Sequence, residues 1–136
     1  MSAPNGVAAA LLAANEAFYD AFDSGDIDAM AALWAASHPV ACLHPGAAPI
    51  MGRDAVLASW RSILSASTRP AIQCLQPQAL VFDEAGLVVC VEALATGRLM
   101  ASNLFALERG AWRMVHHHSG PLNAPLPATP DEQRTS

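Results

Sequence analysis

The sequence predicts a single α+β domain, with helices packed on one face of an antiparallel sheet. The first half of the chain carries apolar residues at helical spacing, and the second half carries strand-like runs joined by short turns. Helices that precede the strands are typical of α+β domains, and short connections favour an antiparallel meander. A length of 136 residues suits one domain with one hydrophobic core.

Three helices are expected before the main run of strands. The first ends near Ser24-Gly25, and its apolar stripe is Val7, Leu11, Leu12, Phe18, Tyr19 and Phe22. Asp26 is placed to cap a second helix, which the His38-Pro39 pair terminates. The third is predicted over residues 53–65, because its apolar residues again fall on one stripe.

The strands are expected to follow one another with short turns between most of them. The predicted strands cover residues 40–44, 71–82, 87–96, 99–108 and 112–119. Residues 1–120 would then form the domain. Residues 121–136 are rich in proline and polar residues, which predicts a flexible tail.

Composition argues against several classes of partner. The formal net charge is −5, and the seven basic residues are all arginines scattered along the chain, so neither a nucleic acid nor a membrane surface is expected.

The N-terminal stretch and the cysteines bear on the location of the protein. Asn15 and Glu16 interrupt the apolar N-terminal stretch, which indicates a helix and not a signal peptide, and a cytoplasmic location is the expectation. The three cysteines lack metal-site spacing and are interpreted as buried free thiols.

Four ordered motifs carry a resemblance to a known family. They are AFYDAFDSGDIDAMAALW, VACLHPG, MGRDAVLASW and GAWRMVHHHSGP, within residues 5–121. Together they resemble the SnoaL-like branch of the nuclear-transport-factor-2-like (NTF2-like) superfamily. More distantly, they resemble the ketosteroid isomerases and the association domain of calcium/calmodulin-dependent protein kinase II. The resemblance implies a cone-shaped, cystatin-like fold, a cavity between helices and sheet, and frequent dimerisation through the outer sheet face.

His44 is the leading candidate for a general base in that cavity. It ends a short strand immediately before Pro45, which by resemblance is the position of the base aspartate in the ketosteroid isomerases. Imidazole exchanges protons near neutral pH and could take one from an activated C–H or O–H group. The alternative is a hydrogen-bonded or solvated residue at a strand end.

Glu92 and Asn103 are the other candidate catalytic residues. Glu92 lies in an apolar strand, where it either faces inward with a raised pKa or pairs with Arg98 or Arg113 on the solvent face. By resemblance, Asn103 falls where the isomerases carry an acid that donates to an oxyanion. A strand asparagine without such a role is the alternative.

The triplet of histidines near the end of the chain lies within a predicted strand. Alternation places His116 and His118 on one face and His117 with Val115 on the other, so only one set could meet the cavity. His117 is a candidate ligand contact. His44 together with one of these faces could be imagined as a metal site, but no metal-binding motif is present and no metal or other cofactor is expected.

A set of large apolar side chains is expected to form the cavity wall or the core. These candidates are Phe18, Phe22, Trp34, Met51, Trp60 and Phe105. By resemblance, Phe18 falls where the isomerases keep their catalytic tyrosine, and Tyr19 falls one position away. With the base aspartate also replaced, steroid isomerisation is not expected.

Three functions are compatible with the sequence. The first is an enzyme for proton transfer, isomerisation, cyclisation or hydration on a small apolar carbonyl or hydroxyl compound. The second is a ligand-binding pocket without chemistry. The third is an association module that acts through the sheet face beside His116 and His118. A small apolar molecule and a second copy of the chain are therefore the expected partners.

Overall fold

The computed structural model describes residues 6–125 as three helices and a six-stranded sheet. The helices are α1 (Gly6–Ser24), α2 (Ile27–Leu33) and α3 (Arg53–Leu64). The strands are β1 (Ala41–Leu43), β2 (Ile50–Met51), β3 (Gln73–Phe82), β4 (Ala85–Leu94), β5 (Gly97–Glu108) and β6 (Ala111–Pro121). The strand order in the sheet is β2-β1-β6-β5-β4-β3, and the predicted α+β class is confirmed.

The sheet is mixed, which corrects the expectation of a purely antiparallel sheet. Strands β3 to β6 form the antiparallel meander, but β1 runs parallel to β6, with Ala41 opposite His116 and Leu43 opposite His118. A parallel pair needs a long connection, and here the chain passes through α3 and the meander between the two strands. This pairing brings the end of β1 beside the histidine triplet.

Two side chains fix the ends of the first helices. Asp26 caps α2 by accepting a hydrogen bond from the backbone N–H three residues further on, at 3.0 Å. Arg69 donates to the last carbonyls of α1, through Nε to Phe22 O at 3.0 Å and Nη2 to Asp23 O at 2.8 Å. Gly25 has φ +67°, and a Cβ there would lie 2.8 Å from Arg69 Nη2, so glycine is needed for this contact.

A β-bulge in β6 breaks the alternation expected for that strand. The register shifts between Leu104 and Phe105 of β5, so Val115 of β6 is an extra residue without a partner. Strict alternation would put Met114 and His117 on opposite faces, yet both are buried, at 0% and 3% exposure. Because of the bulge, strand β6 can bury both Met114 in the core and His117 at the cavity.

The C-terminal end of the domain extends slightly beyond the predicted boundary. Pro121 is the last residue of β6, and Leu122 N donates to Arg98 O at 3.0 Å. Most of the predicted tail, residues 126–136, lies outside the described residues. Among the helices of residues 6–125, none combines the length and the apolar character that crossing a membrane requires.

Candidate functional site

A cavity of about 220 Å³ lies between the helices and the inner face of the sheet. Its polar lining residues are Tyr19, His44, Glu92, His117 and Ser119. Its apolar lining residues are Phe18, Phe22, Pro45, Trp60, Ile63, Pro70, Ile72, Leu94 and Leu99. The volume corresponds to about seven water molecules and is below that of most drug-sized pockets, so the cavity suits a small ligand.

His44 follows β1 and is held by α3. Its Nε2 lies 3.0 Å from Ser59 Oγ, and Ser59 Oγ donates to Val56 O at 2.7 Å. A serine hydroxyl has one hydrogen, so Ser59 must accept its second bond from His44. Nε2 of His44 therefore carries the proton, and Nδ1 keeps its lone pair.

The surroundings of His44 keep its ring neutral. Burial lowers its pKa below the usual value, and Trp60 packs against the ring edge to face with centroids 4.8 Å apart. Cys42 Sγ lies 3.7 Å from Nε2 and 4.0 Å from Nδ1 of His44. Burial and the nearby Glu92 charge raise the pKa of Cys42 to about 12, so this neighbour is a thiol and not a thiolate.

Glu92 faces inward from β4 and is 2% exposed. Its Oε2 accepts a hydrogen bond of 2.6 Å from Tyr19 Oη, and Ser119 also bonds to the carboxyl group. The solvent-face alternative, with Arg98 or Arg113 as partner, does not occur. Burial raises the pKa of Glu92 because the charged form is poorly solvated there.

Asn103 is fully buried behind the site and is not a lining residue. Its Nδ2 donates to Asn15 Oδ1 at 2.8 Å and to Tyr19 Oη at 3.1 Å. Its Oδ1 lies 2.6 Å from His117 Nδ1. Both amide hydrogens are used by protein groups, so Asn103 has no donor left for an oxyanion, and the role predicted for it is replaced by one of positioning.

The bonds of Asn103 fix the proton positions of its neighbours. Because Asn103 Oδ1 can only accept, His117 donates through Nδ1 and keeps a lone pair on Nε2. Nε2 lies 4.0 Å from Glu92 Oε2. Burial, with a smaller effect of His44, lowers the pKa of His117 to about 3, so the ring is neutral at physiological pH. The Phe18 ring packs beside it at 4.9 Å.

The predicted ligand contacts divide into two groups. Phe18, Phe22, Trp60 and His117 line the cavity, as do His44 and Glu92. Trp34 and Phe105 are fully buried in the core, away from the lining, and Met51 is 70% exposed on β2. Met51 lies at the edge of the sheet, because β2 is the terminal strand of the sheet order.

Four residues of the site were not among the site residues predicted from the sequence. They are Asn15, Tyr19, Ser59 and Ser119. Alternation from His117 could have identified Ser119, which lies two residues further along β6. Tyr19 is next to Phe18 on α1, and the cavity is wide enough for both side chains to reach it.

The lining of the cavity has a carboxyl group without a basic counterpart. It includes one carboxyl group but no lysine or arginine. Within residues 6–125, no three His, Cys, Asp or Glu side chains are arranged to hold a metal ion. Charge at this site must therefore come from Glu92 or from a ligand.

Two solved structures show close similarity to this chain. An NTF2-like protein from Streptomyces avermitilis, whose assignment as a dehydratase is provisional, is 26% identical with a TM-score of 0.83, covering 90% of this chain and 100% of that one. A provisionally assigned calcium/calmodulin-dependent protein kinase type II association domain from Thiobacillus denitrificans is 36% identical with a TM-score of 0.73. It covers 82% of this chain and 94% of that one.

Sequence comparison gives a relative and a family. The F-box protein SKIP8 of Arabidopsis thaliana is 27% identical over 112 residues, which are 81% of this chain and 48% of that protein. The present chain therefore spans about half the length of this relative. The profile of the SnoaL-like domain matches residues 11–123, from α1 to the end of β6. The chain belongs to the SnoaL-like domain family, with the NTF2-like fold.

Proposed function

We propose that the chain binds a small, mostly apolar molecule in this cavity and catalyses proton transfer at its hydroxyl group or at a carbon next to its carbonyl group. The observation that carries the proposal is the unprotonated Nδ1 of His44, on a neutral ring that lines the cavity, with the weakly donating Cys42 thiol 4.0 Å away. A neutral imidazole is a general base, and apolar walls strengthen its interaction with a polarised substrate.

The proposed roles follow the hydrogen-bond network. His44 removes a proton from the substrate and returns it at a neighbouring atom or to a leaving hydroxyl group. Glu92, Tyr19 and His117 orient the substrate, and Asn103 positions the last two of them. Similarity to the provisionally assigned dehydratase supports elimination or addition of water as the first reaction to assay.

Hydrogen exchange tests this proposal without a known substrate. A panel of small ketones and β-hydroxy ketones is incubated with the protein in D2O, and NMR follows deuterium incorporation beside the carbonyl and loss of water. Replacing the base in His44→Ala should lower the rate by about 100-fold or more. His118→Ala is the matched control, because His118 is exposed and lines a hollow on the outer sheet face. Equal rates in His44→Ala and wild type would exclude the role of His44.

We also propose that the chain forms a homodimer through the outer sheet face. That face has a hollow lined by apolar side chains, including Val91 and Met100, and Met100 is 52% exposed. The 36% identity to a provisionally assigned association domain supports self-association.

Native mass spectrometry tests the interface. The wild-type protein should give twice the mass of the chain, and Met100→Glu should weaken the dimer by about tenfold or more because it buries a charge in the interface. Met51→Glu is the control, since Met51 lies on the edge strand β2. A wild-type monomer would contradict the dimer, and a larger ring would favour the association function.

A further inference from the structure

A gap between two acceptors lies within the cavity lining. Glu92 Oε2 and His117 Nε2 are 4.0 Å apart, too far for a hydrogen bond and close enough for one atom to bond to both. Both side chains are almost fully buried, at 2% and 3% exposure. Within residues 6–125, no hydrogen bond to His117 Nε2 is formed, and Glu92 Oε2 accepts one from Tyr19 and can accept another, so this gap is a place for a bridging group.

Both sides of the gap accept a hydrogen bond when Glu92 is ionised. His117 donates through Nδ1 to Asn103, so its Nε2 presents a lone pair. Tyr19 Oη accepts from Asn103, lies 3.3 Å from Cys90 Sγ and donates to the ionised Glu92 through Oε2. An ionised carboxylate only accepts hydrogen bonds, so the charged form presents Oε2 as an acceptor to the gap.

Among the described residues, the carboxyl group of Glu92 has no cationic side chain beside it to balance its charge. The ionisable groups near Glu92 are Tyr19 of α1, Cys42 and His44 of the β1 segment, Cys74 of β3, Cys90 of β4 and His117 of β6. Each is neutral or anionic at neutral pH. Aromatic rings of Phe18, Phe22 and Trp60 surround the same space. A buried carboxyl group with aromatic walls and no cationic side chain favours a cationic partner.

We propose that the ligand carries a primary ammonium group, which bridges Glu92 Oε2 and His117 Nε2 while its apolar body packs against Phe18 and Trp60. This inference rests on the proposed function and names the substrate class for the same site. An ammonium group has at least two donors for the two acceptors, whereas a hydroxyl group has one and a carboxylate has none. Nδ1 of His44 remains free to act as a base.

Calorimetric titration of the full chain with four matched compounds tests the ligand class. Benzylamine, benzyl alcohol, benzamide and benzoate share a ring and differ in the polar group. Benzylamine should bind about tenfold or more tightly than benzyl alcohol, because its hydrogen bonds to a charged acceptor are stronger. Benzoate should not bind. If benzyl alcohol or benzamide binds as tightly as benzylamine, or if benzylamine does not bind, the inference is overturned.

Variants test whether Glu92 causes the preference for benzylamine. Glu92→Gln keeps an acceptor for Tyr19 but removes the negative charge that pairs with an ammonium group, so the affinity for benzylamine should fall by about tenfold or more. Affinity for benzyl alcohol should fall by less than affinity for benzylamine, and an unchanged circular-dichroism spectrum shows that the variant is folded. Glu84→Gln removes an exposed carboxylate in the turn between β3 and β4 and should change neither affinity. Equal benzylamine affinity in Glu92→Gln and wild type would overturn the assignment.

Proton release gives a second readout that is independent of catalysis. Burial raises the pKa of Glu92 and an ammonium group favours its charged form, so binding should release a proton at pH values between the bound and the unbound pKa, a window found by repeating the titration across pH. The observed binding enthalpy should then depend on the ionisation enthalpy of the buffer for wild type and not for Glu92→Gln. Buffer-independent enthalpy in wild type would count against the ion pair. The deuterium-exchange assay of His44 is separate, so failure of either proposal can be recognised on its own.

Discussion

At the scale of single residues, the site is defined by where the protons are. Ser59 can only accept from His44, and Asn103 can only accept from His117, so the two imidazoles expose opposite nitrogens. Sequence reasoning found His44 and Glu92 because strand ends and apolar strands make lone polar residues conspicuous. It could not find Ser59, since a serine on a helix has no signal until the fold brings it to His44.

The pH dependence of the proposed activity follows from the environment of His44. Burial lowers its pKa, so the ring becomes a base at a lower pH than free histidine. kcat/KM should rise with pH along an acid limb whose midpoint lies below about 6.5. Titration of His44 should cause no further change in kcat/KM through neutral pH. A pH–rate profile measures the limb. A midpoint above the value of free histidine would argue against a buried neutral base.

Tyr19 links the two halves of the network and should be needed for stability. Tyr19→Phe removes the hydroxyl between Asn103 and Glu92, which leaves a buried donor and a buried acceptor without that partner. The free energy of unfolding in urea should fall by about 1–3 kcal/mol. Ser24→Ala, at the exposed end of α1, is a control of similar size and should have a smaller effect. An unchanged stability in Tyr19→Phe would contradict the network.

At the scale of helices and strands, the sequence identified the main elements and missed their unusual pairings. The three helices and the meander follow from hydrophobic periodicity, and most of their ends agree within two residues. The two-residue strand β2 is too short for periodicity to reveal. The parallel pairing of β1 with β6 and the bulge at Val115 depend on contacts distant in sequence, which local patterns do not encode.

One carboxylate ties the segment after α2 to the end of β5. Glu108 accepts hydrogen bonds from Ala36 N at 3.0 Å, Ser37 N at 2.9 Å and His38 Nδ1 at 2.7 Å. The bond with His38, together with those two backbone groups, lowers the pKa of Glu108 to about 2. Glu108→Gln should therefore cost about 1 kcal/mol at neutral pH, allowing for solvent screening at this partly exposed site.

The effect of Glu108 has a defined pH window. Its folded-state pKa is depressed, so its contribution is complete above the unfolded value of about 4.3 and is lost as pH falls toward about 2. Urea unfolding of wild type and Glu108→Gln should converge at low pH, with Glu84→Gln as a control that follows wild type. A stability difference independent of pH would contradict the assignment.

At the scale of the whole molecule, the fold holds a carboxyl group and two imidazoles in a space that solvates none of them well. Glu92 has a raised pKa, so the folded state favours its protonated form and loses stability as pH rises above the unfolded value of about 4.3. Such a cost is typical of functional sites, where stability is given up for a reactive or binding group. The family resemblance predicted the fold and the cavity, and sequence reasoning named His44, Glu92 and His117, but the hydrogen bonds among the polar side chains required the structure.

Removing this charge should therefore stabilise the protein at neutral and higher pH. Glu92→Gln is expected to have a larger free energy of unfolding than wild type at pH about 8, with the difference shrinking as pH approaches about 4. Chemical denaturation over that range measures it. A variant less stable than wild type at pH about 8 would indicate that the carboxylate is well paired in the absence of ligand.

The tautomers of the two imidazoles are the most direct test of the site. Nitrogen-15 NMR of the histidine-labelled protein at neutral pH separates protonated from unprotonated ring nitrogens. His44 should carry its proton on Nε2 and His117 on Nδ1, both rings being neutral. A cationic ring, or a proton on Nδ1 of His44 or on Nε2 of His117, would contradict the two free lone pairs on which the base and the ammonium site depend.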